Sequence, residues 1–275
     1  MKHSELAELL AKHPSFKDID PQPILARLTL QRRSSWTVGV SEADIDLGRF
    51  DRPFSLINRP LLMLDDKQDD PLVLMSPVLV SDSAMYSISG LMEGNLNNAF
   101  WQSDRARSYA GEQGRLAGEE FEESVAQRLQ ELGLDATPRS KLSTILNQKV
   151  PPELGDVDVF AITQARDRVY VIEAKDLRVC RTEAEVAARM SEYRGRTIRD
   201  LKGREKPDKM LRHIRRVQYL RDRADAIAKN LKLPTTPEVK GLLIVDAPQP
   251  MNFHMLDELE DGESAFLDTI ASYNF

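Results

Sequence analysis

Along the first hundred residues the apolar positions come in short, separate groups. Residues 4–12, SELAELLAK, carry helical spacing and stop before Pro14. A second helical turn is expected after Pro21. Two apolar stretches, Arg59–Leu64 and Leu72–Val80, flank the polar run DDKQDD and predict a hairpin. Ser81–Leu96 reads as a helix, and Asn95–Ser103 as a connection packed down by Trp101. The acidic turn is expected to be a solvated hairpin turn rather than a metal site.

From Arg105 onward the periods are longer. A helix is predicted to run to Leu132 and to stop at Gly133. Phe121, Val125, Leu129 and Leu132 mark its buried face, with Glu122 at the rim beside Gly118 and Ala126. Glycine inside a helix costs about 1 kcal/mol against alanine, so a close backbone approach is expected at Gly118. A loop with Pro151-Pro152 leads into a strand, Asp156–Ile162; the turn TQARDR leads into a second, Val169–Lys175. Helices are predicted over Glu183–Tyr193 and Asp208–Leu231, a strand over Val239–Val245, and a last helix near Ser264–Ser272. This order implies a layered α/β arrangement.

The two strands carry the chemistry. In an antiparallel hairpin centred on Ala165-Arg166, Asp158 stands opposite Glu173, with Cβ atoms about 4.5–5.5 Å apart on one face. Facing carboxylates repel, and removing either charge is expected to relieve that repulsion. A divalent cation between them would remove the objection. Lys175 is two residues beyond Glu173, so it points to the same face. Phe160, Ile162, Val169 and Val171 share that face, and Val157, Val159, Tyr170, Ile172 and Ala174 are expected to line the other. Strands apolar on both faces belong inside a sheet, where three charges are costly unless they work.

The segments G-E-E-F-E (118–122), G-D-V-D-V-F-A-I (155–162) and V-Y-V-I-E-A-K (169–175) resemble the PD-(D/E)xK nuclease superfamily, its restriction-endonuclease-like and Holliday-junction-resolvase-like members above all. The resemblance covers about Gly114 to Val245, and Val157 stands in place of the family's proline. It implies a restriction-endonuclease-like mixed sheet flanked by helices over residues 104–275, preceded by a smaller α+β accessory region over 1–103. It also implies a catalytic set of Glu122, Asp158, Glu173 and Lys175. Asp158, Glu173 and the Ala174 carbonyl would hold Mg²⁺, with Glu122 completing the site directly or through water. A metal so held polarises a phosphodiester oxygen and lowers the pKa of a water, and Lys175 would orient that water or stabilise the transition state. The activity implied is hydrolysis of DNA by an endonuclease, a restriction or phage-defence effector. An RNA-cleaving member of the same fold, and a catalytically silent nucleic-acid-binding subunit, are the competing expectations.

Composition agrees with an oxygen-ligated metal. One cysteine excludes an internal disulfide and a cysteine zinc site, and four scattered histidines show no ligand spacing, which leaves Mg²⁺ or Mn²⁺. The net charge of −6 argues against a general nucleic-acid binder, but its distribution is uneven. Between Arg194 and Arg223 basic residues far outnumber acidic ones. Lys209, Arg212, Arg216 and Arg223 share a helical face by spacing, and with Arg215 they are expected to grip phosphates. No apolar run is long enough to span a membrane, so a cytoplasmic location and no membrane partner are expected. The N-terminal region is expected to recognise substrate or to support a homodimer or larger complex.

Overall fold

The computed structural model describes residues 1–30, 56, 59–65, 69–94, 103–177, 179–180, 183–199, 203–252, 264–273 and 275. The connection at Asn95–Ser103, apart from Ser103 itself but including Trp101, and half of the DDKQDD turn lie outside the described residues. The chain is a mixed α/β protein of two compact units that meet in sequence at Gly114 and Arg115.

The N-terminal unit begins with helices α1 (His3–Ala11) and α2 (Pro21–Leu28). A small sheet follows, with β1 (Thr29–Leu30) parallel to β2 (Leu61–Met63) and β2 antiparallel to β3 (Val73–Met75). The β2–β3 pair is the hairpin that spacing predicts, with shorter strands. Pro77 opens helix α3 (Pro77–Met92) with Ser76 as its cap, which takes the end of the predicted second strand. Leu6, Ala7, Leu25, Leu61 and Val73 form the core. Asp70 of the acidic turn accepts hydrogen bonds from Ser4 N (2.9 Å) and Ser4 Oγ (2.7 Å), so it caps α1.

Helix α4 (Asp104–Glu131) crosses from one unit into the other. The close approach expected at Gly118 is absent, since a Cβ there would meet nothing within 4 Å. It occurs one turn earlier. Gly94, at φ +68°, lies so near Gly114 that a Cβ on it would stand 2.3 Å from the Gly114 nitrogen.

In the C-terminal unit a five-stranded sheet has the order β10-β9-β6-β5-β4. Its strands are β4 (Asp135–Ser140), β5 (Val157–Ile162), β6 (Arg168–Lys175), β9 (Glu238–Val245) and β10 (Ser264–Phe266). β6 runs parallel to β9, and β9 to β10, while β5 is antiparallel to both β4 and β6. Val159 pairs with Ile172 and Ile162 with Val169, which is the register that an even turn centred on Ala165-Arg166 requires. β4 is an addition to the predicted elements. It is an edge strand containing Pro138, and Ala136 is its buried apolar residue. The helix predicted over Ser264–Ser272 is instead β10 followed by a 3₁₀ helix, Leu267–Ser272.

Two apolar layers sandwich this sheet. Phe121, Val125, Ala126 and Leu129 of α4 pack on Val159, Ala161, Tyr170, Ile172 and Ala174. The other face, Phe160, Ile162, Val169 and Val171, is covered by α5 (Leu142–Leu146), α7 (Lys209–Arg221) and α8 (Ala224–Leu231). Val157, expected by alternation on the α4 side, instead joins this second cluster, since it precedes the β5–β6 ladder that begins at Val159. α7 and α8 replace the single helix expected over Asp208–Leu231. The chain breaks at Asp222-Arg223, where Arg223 stacks 3.8 Å over the Tyr219 ring and donates to the Tyr219 carbonyl. Val217, Leu220 and Ile227 stay in one cluster across the break, so the apolar period conceals it.

Between α6 (Glu183–Glu192) and α7 lies a short basic ribbon, β7 (Thr197–Arg199) paired with β8 (Glu205–Pro207). Asp208 fixes its base. Its buried carboxylate accepts from Leu211 N as the helix cap, and from Arg194 N and Arg196 N across the ribbon, all within 2.7–3.0 Å.

Candidate functional site

The register carries on one residue past Val159–Ile172 and sets Asp158 opposite Glu173. The backbone ladder between β5 and β6 has ended there. Ala174 N donates instead to Asp158 Oδ2 at 3.0 Å, so a side chain replaces the next rung. A strand residue points its N–H and C=O to the same side, so the Ala174 carbonyl faces the same gap.

Lys175 Nζ lies between the two acids, 2.5 Å from Asp158 Oδ2 and 3.0 Å from Glu173 Oε1. Glu173 Oε2 is taken from the other side by Arg216 Nη1 at 2.8 Å, and His213 Nδ1 is 3.9 Å from the same oxygen. Arg216 Nε donates to the Leu154 carbonyl at 3.0 Å. Little of this is open to solvent, the exposed fraction being 16% for the Asp158 side chain, 11% for Glu173 and 28% for Lys175.

Environment drives the acids apart. Burial works to raise the Glu173 carboxyl, but Lys175 and Arg216 outweigh it and hold it at about 2. Asp158 moves up instead, through burial and the charge of Glu173, against the pull of Lys175. Burial works against the Lys175 ammonium, yet Glu173 and Asp158 raise it. Glu122, half-buried on α4, is pushed up to about 7, first by burial and then by Asp158. Its carboxyl thus feels Asp158 although its helix covers the other sheet face. Separated acid strengths of this kind allow one carboxyl to carry a proton while its neighbour stays ionised.

These residues fit a hard divalent cation. Two carboxylates and a carbonyl meet in one gap, and an ammonium group stands where a cation would. Among the described residues no three His, Cys, Asp or Glu side chains gather at ligand spacing, so Glu122 does not stand as a third ligand in this conformation.

The basic residues divide. Arg212 and Arg215 are exposed on α7. Lys209 is exposed, pairs with Glu192 at 2.7 Å and lies 5.5 Å from the centre of the Tyr193 ring. Arg223 is half-buried on Tyr219. Arg216 corrects the expectation of a phosphate contact. It is 4% exposed and points inward, because it falls in the buried stripe His213, Arg216, Val217, Leu220. That spacing was available as a signal: an arginine inside an apolar stripe requires a buried partner. The ribbon left a weaker trace, with one apolar residue, Ile198, among its six strand positions.

A family model for the anti-phage protein Upx-like family matches residues 1–269. The chain belongs to the Upx-like anti-phage family. No curated protein and no solved structure matches it. A role in defence against phage comes with that membership, which extends over both units. No helix among the described residues is long and apolar enough to cross a membrane.

The pairing reverses one expectation, since the two acids do not respond alike to neutralisation. Asp158→Asn is expected to raise metal-free stability slightly. Glu173→Gln leaves Arg216 buried without its counter-charge and is expected to cost about 3 kcal/mol or more. Urea unfolding in EDTA measures both, and equal shifts would contradict the pairing.

Glu122 gives a pH signature. Its folded pKa lies above the unfolded one, so the native state holds the extra proton and stability falls as pH rises. The fall is expected between about 4.5 and about 7, levelling above. Glu122→Gln should remove that slope, and the same unfolding measured across this range reads it.

Proposed function

We propose that this chain is a divalent-cation-dependent endonuclease that cleaves DNA during phage defence, with residues 104–275 forming a restriction-endonuclease-like domain. The observation that carries the reading is the meeting of Asp158 and Glu173 across one strand pair with Lys175 between them. Such a cluster inside a sheet apolar on both faces has a high cost as architecture alone. The anti-phage family supports the biological setting, in which foreign nucleic acid is the natural target.

In this mechanism Asp158, Glu173 and the Ala174 carbonyl would hold Mg²⁺ or Mn²⁺, and Glu122 would contribute from α4 only after moving toward the strand acids. The bound ion would polarise a phosphodiester oxygen and acidify a water. Lys175, released from the two acids, places its ammonium against the negative charge that develops on the phosphate. Without a cation, burial and Asp158 push the Glu122 carboxyl up to about 7, so it can hold a proton near neutral pH and give it up when a cation approaches. Lys175 and then Arg216 hold the Glu173 carboxyl down, and Arg216 keeps a positive charge beside it when Lys175 leaves. Arg212, Arg215 and the basic ribbon draw the phosphate backbone toward the site.

Plasmid cleavage with Mg²⁺ or Mn²⁺ against EDTA tests the reading, alongside phage plating on cells that carry the same variants. Asp158→Asn and Glu173→Gln are expected to abolish cleavage and protection. Lys175→Ala should keep metal binding and lose about 100-fold or more in rate, as when one oxyanion donor is removed. Asp156→Asn should do little, since Asp156 is exposed ahead of β5. Full activity in Glu173→Gln would end the nuclease reading, and cleavage of RNA but not DNA would move it to an RNA-cleaving enzyme.

Charge reversal at Arg212 and Arg215 tests the binding face. Affinity for duplex DNA is expected to fall with salt at a log–log slope of about −0.9 per phosphate contacted, and the double variant should flatten that slope. An unchanged slope would reduce this face to a solvated one.

A further inference from the structure

We propose that Arg216 is a positioning residue that braces the two acid-bearing strands against each other and so sets the Asp158–Glu173 separation for a divalent cation; the proposal rests on the nuclease reading above. One planar guanidinium touches both strand approaches. Its Nε donates to the Leu154 carbonyl at 3.0 Å, and its Nη1 donates to Glu173 Oε2 at 2.8 Å. Its Nη2 lies 3.6 Å from where a Cβ on Gly155 would stand. Leu154 and Gly155 are where the chain turns into β5, just ahead of Asp158, and Gly155 makes that turn at φ +68°. Glu173 belongs to β6.

The brace acts where the sheet no longer does. Paired backbone hydrogen bonds fix the spacing of β5 and β6 as far as Val159–Ile172. Past that rung the strands are joined by Ala174 N on Asp158, by Lys175 between the acids, and by Arg216. Lys175 has to leave its carboxylates if a cation is to take its place. Arg216 can stay, because it holds the Glu173 oxygen remote from Lys175 and lies on the α7 side. A contact with external phosphate is ruled out by its 4% exposure and by the two partners its donors already have.

The side chain has to be arginine for this role. A guanidinium presents donors at fixed angles and can span a carbonyl and a carboxylate together. An ammonium group is a single compact charge, so Arg216→Lys would keep the charge beside Glu173 and lose the span to Leu154. His213, one turn earlier on the same face of α7, supports the same Glu173 oxygen from 3.9 Å.

The test uses the full chain with Arg216→Lys, Arg216→Met, and Arg216→Met combined with Glu173→Gln. Three quantities are read: Mn²⁺ affinity by calorimetry without nucleic acid, kcat and KM for cleavage, and the urea midpoint in EDTA. Arg216→Lys is expected to keep most of the midpoint yet lose about 10–100-fold in Mn²⁺ affinity and in kcat, with KM for DNA unchanged. Arg216→Met should lose as much and also unfold earlier. Adding Glu173→Gln should restore its midpoint but not its Mn²⁺ binding.

Wild-type Mn²⁺ affinity in Arg216→Lys would overturn the brace, as would an effect confined to KM and its salt dependence. A wild-type chain that binds no Mn²⁺ would overturn it too. Mn²⁺ binding without cleavage of any substrate would end the nuclease reading alone, and the titrations and midpoints would still decide the role of Arg216.

Discussion

Two carboxylates facing each other across neighbouring buried strands cannot both stay ionised unless positive charge is built in around them. The central features of the C-terminal unit answer that constraint. Lys175 fills the gap between Asp158 and Glu173. Arg216 reaches Glu173 from the buried stripe of α7, alongside His213 and the apolar Met210, Val217 and Leu220, and the left-handed turn at Gly155 brings the approach to β5 against it. The ladder between β5 and β6 gives way at that level to side-chain contacts. Even the split acidities follow, since Glu173 has two close cations while Asp158 shares one.

The pair at the centre of the site was legible because hairpin register is arithmetic. An even turn centred on Ala165-Arg166 leaves one way of pairing the strands, and Asp158 then has to face Glu173. Long-range helix placement was harder to read. Arg212, Arg215 and Arg216 are equal as charges in the sequence, yet two face water and one faces the site. What separates them is the buried stripe of α7, whose partner is a strand some forty residues earlier. β4 escaped because an edge strand with a proline carries little alternation. β10 escaped because its three residues form a strand only through pairing with β9.

Family membership spans both units, so the N-terminal one is part of the defence protein rather than an appendage to it. Its small core and its helix capped by Asp70 make a separate packing problem from that of the five-stranded sheet. The Gly94–Gly114 contact shows how tightly that unit holds the start of α4, since neither backbone leaves space for a side chain on Gly94.

Asp158, Glu173, Lys175 and Arg216 cancel as formal charges. Seen from a distance such a cluster is a set of opposed dipoles, and its field dies away much faster than that of a lone charge. The resting site therefore neither attracts nor repels a polyanion beyond close range. On the proposed nuclease reading, long-range capture would fall to the exposed arginines of α7 and to the basic ribbon anchored on Asp208. Ionic strength would then govern how often nucleic acid arrives, and the sheltered cluster what happens after it has docked.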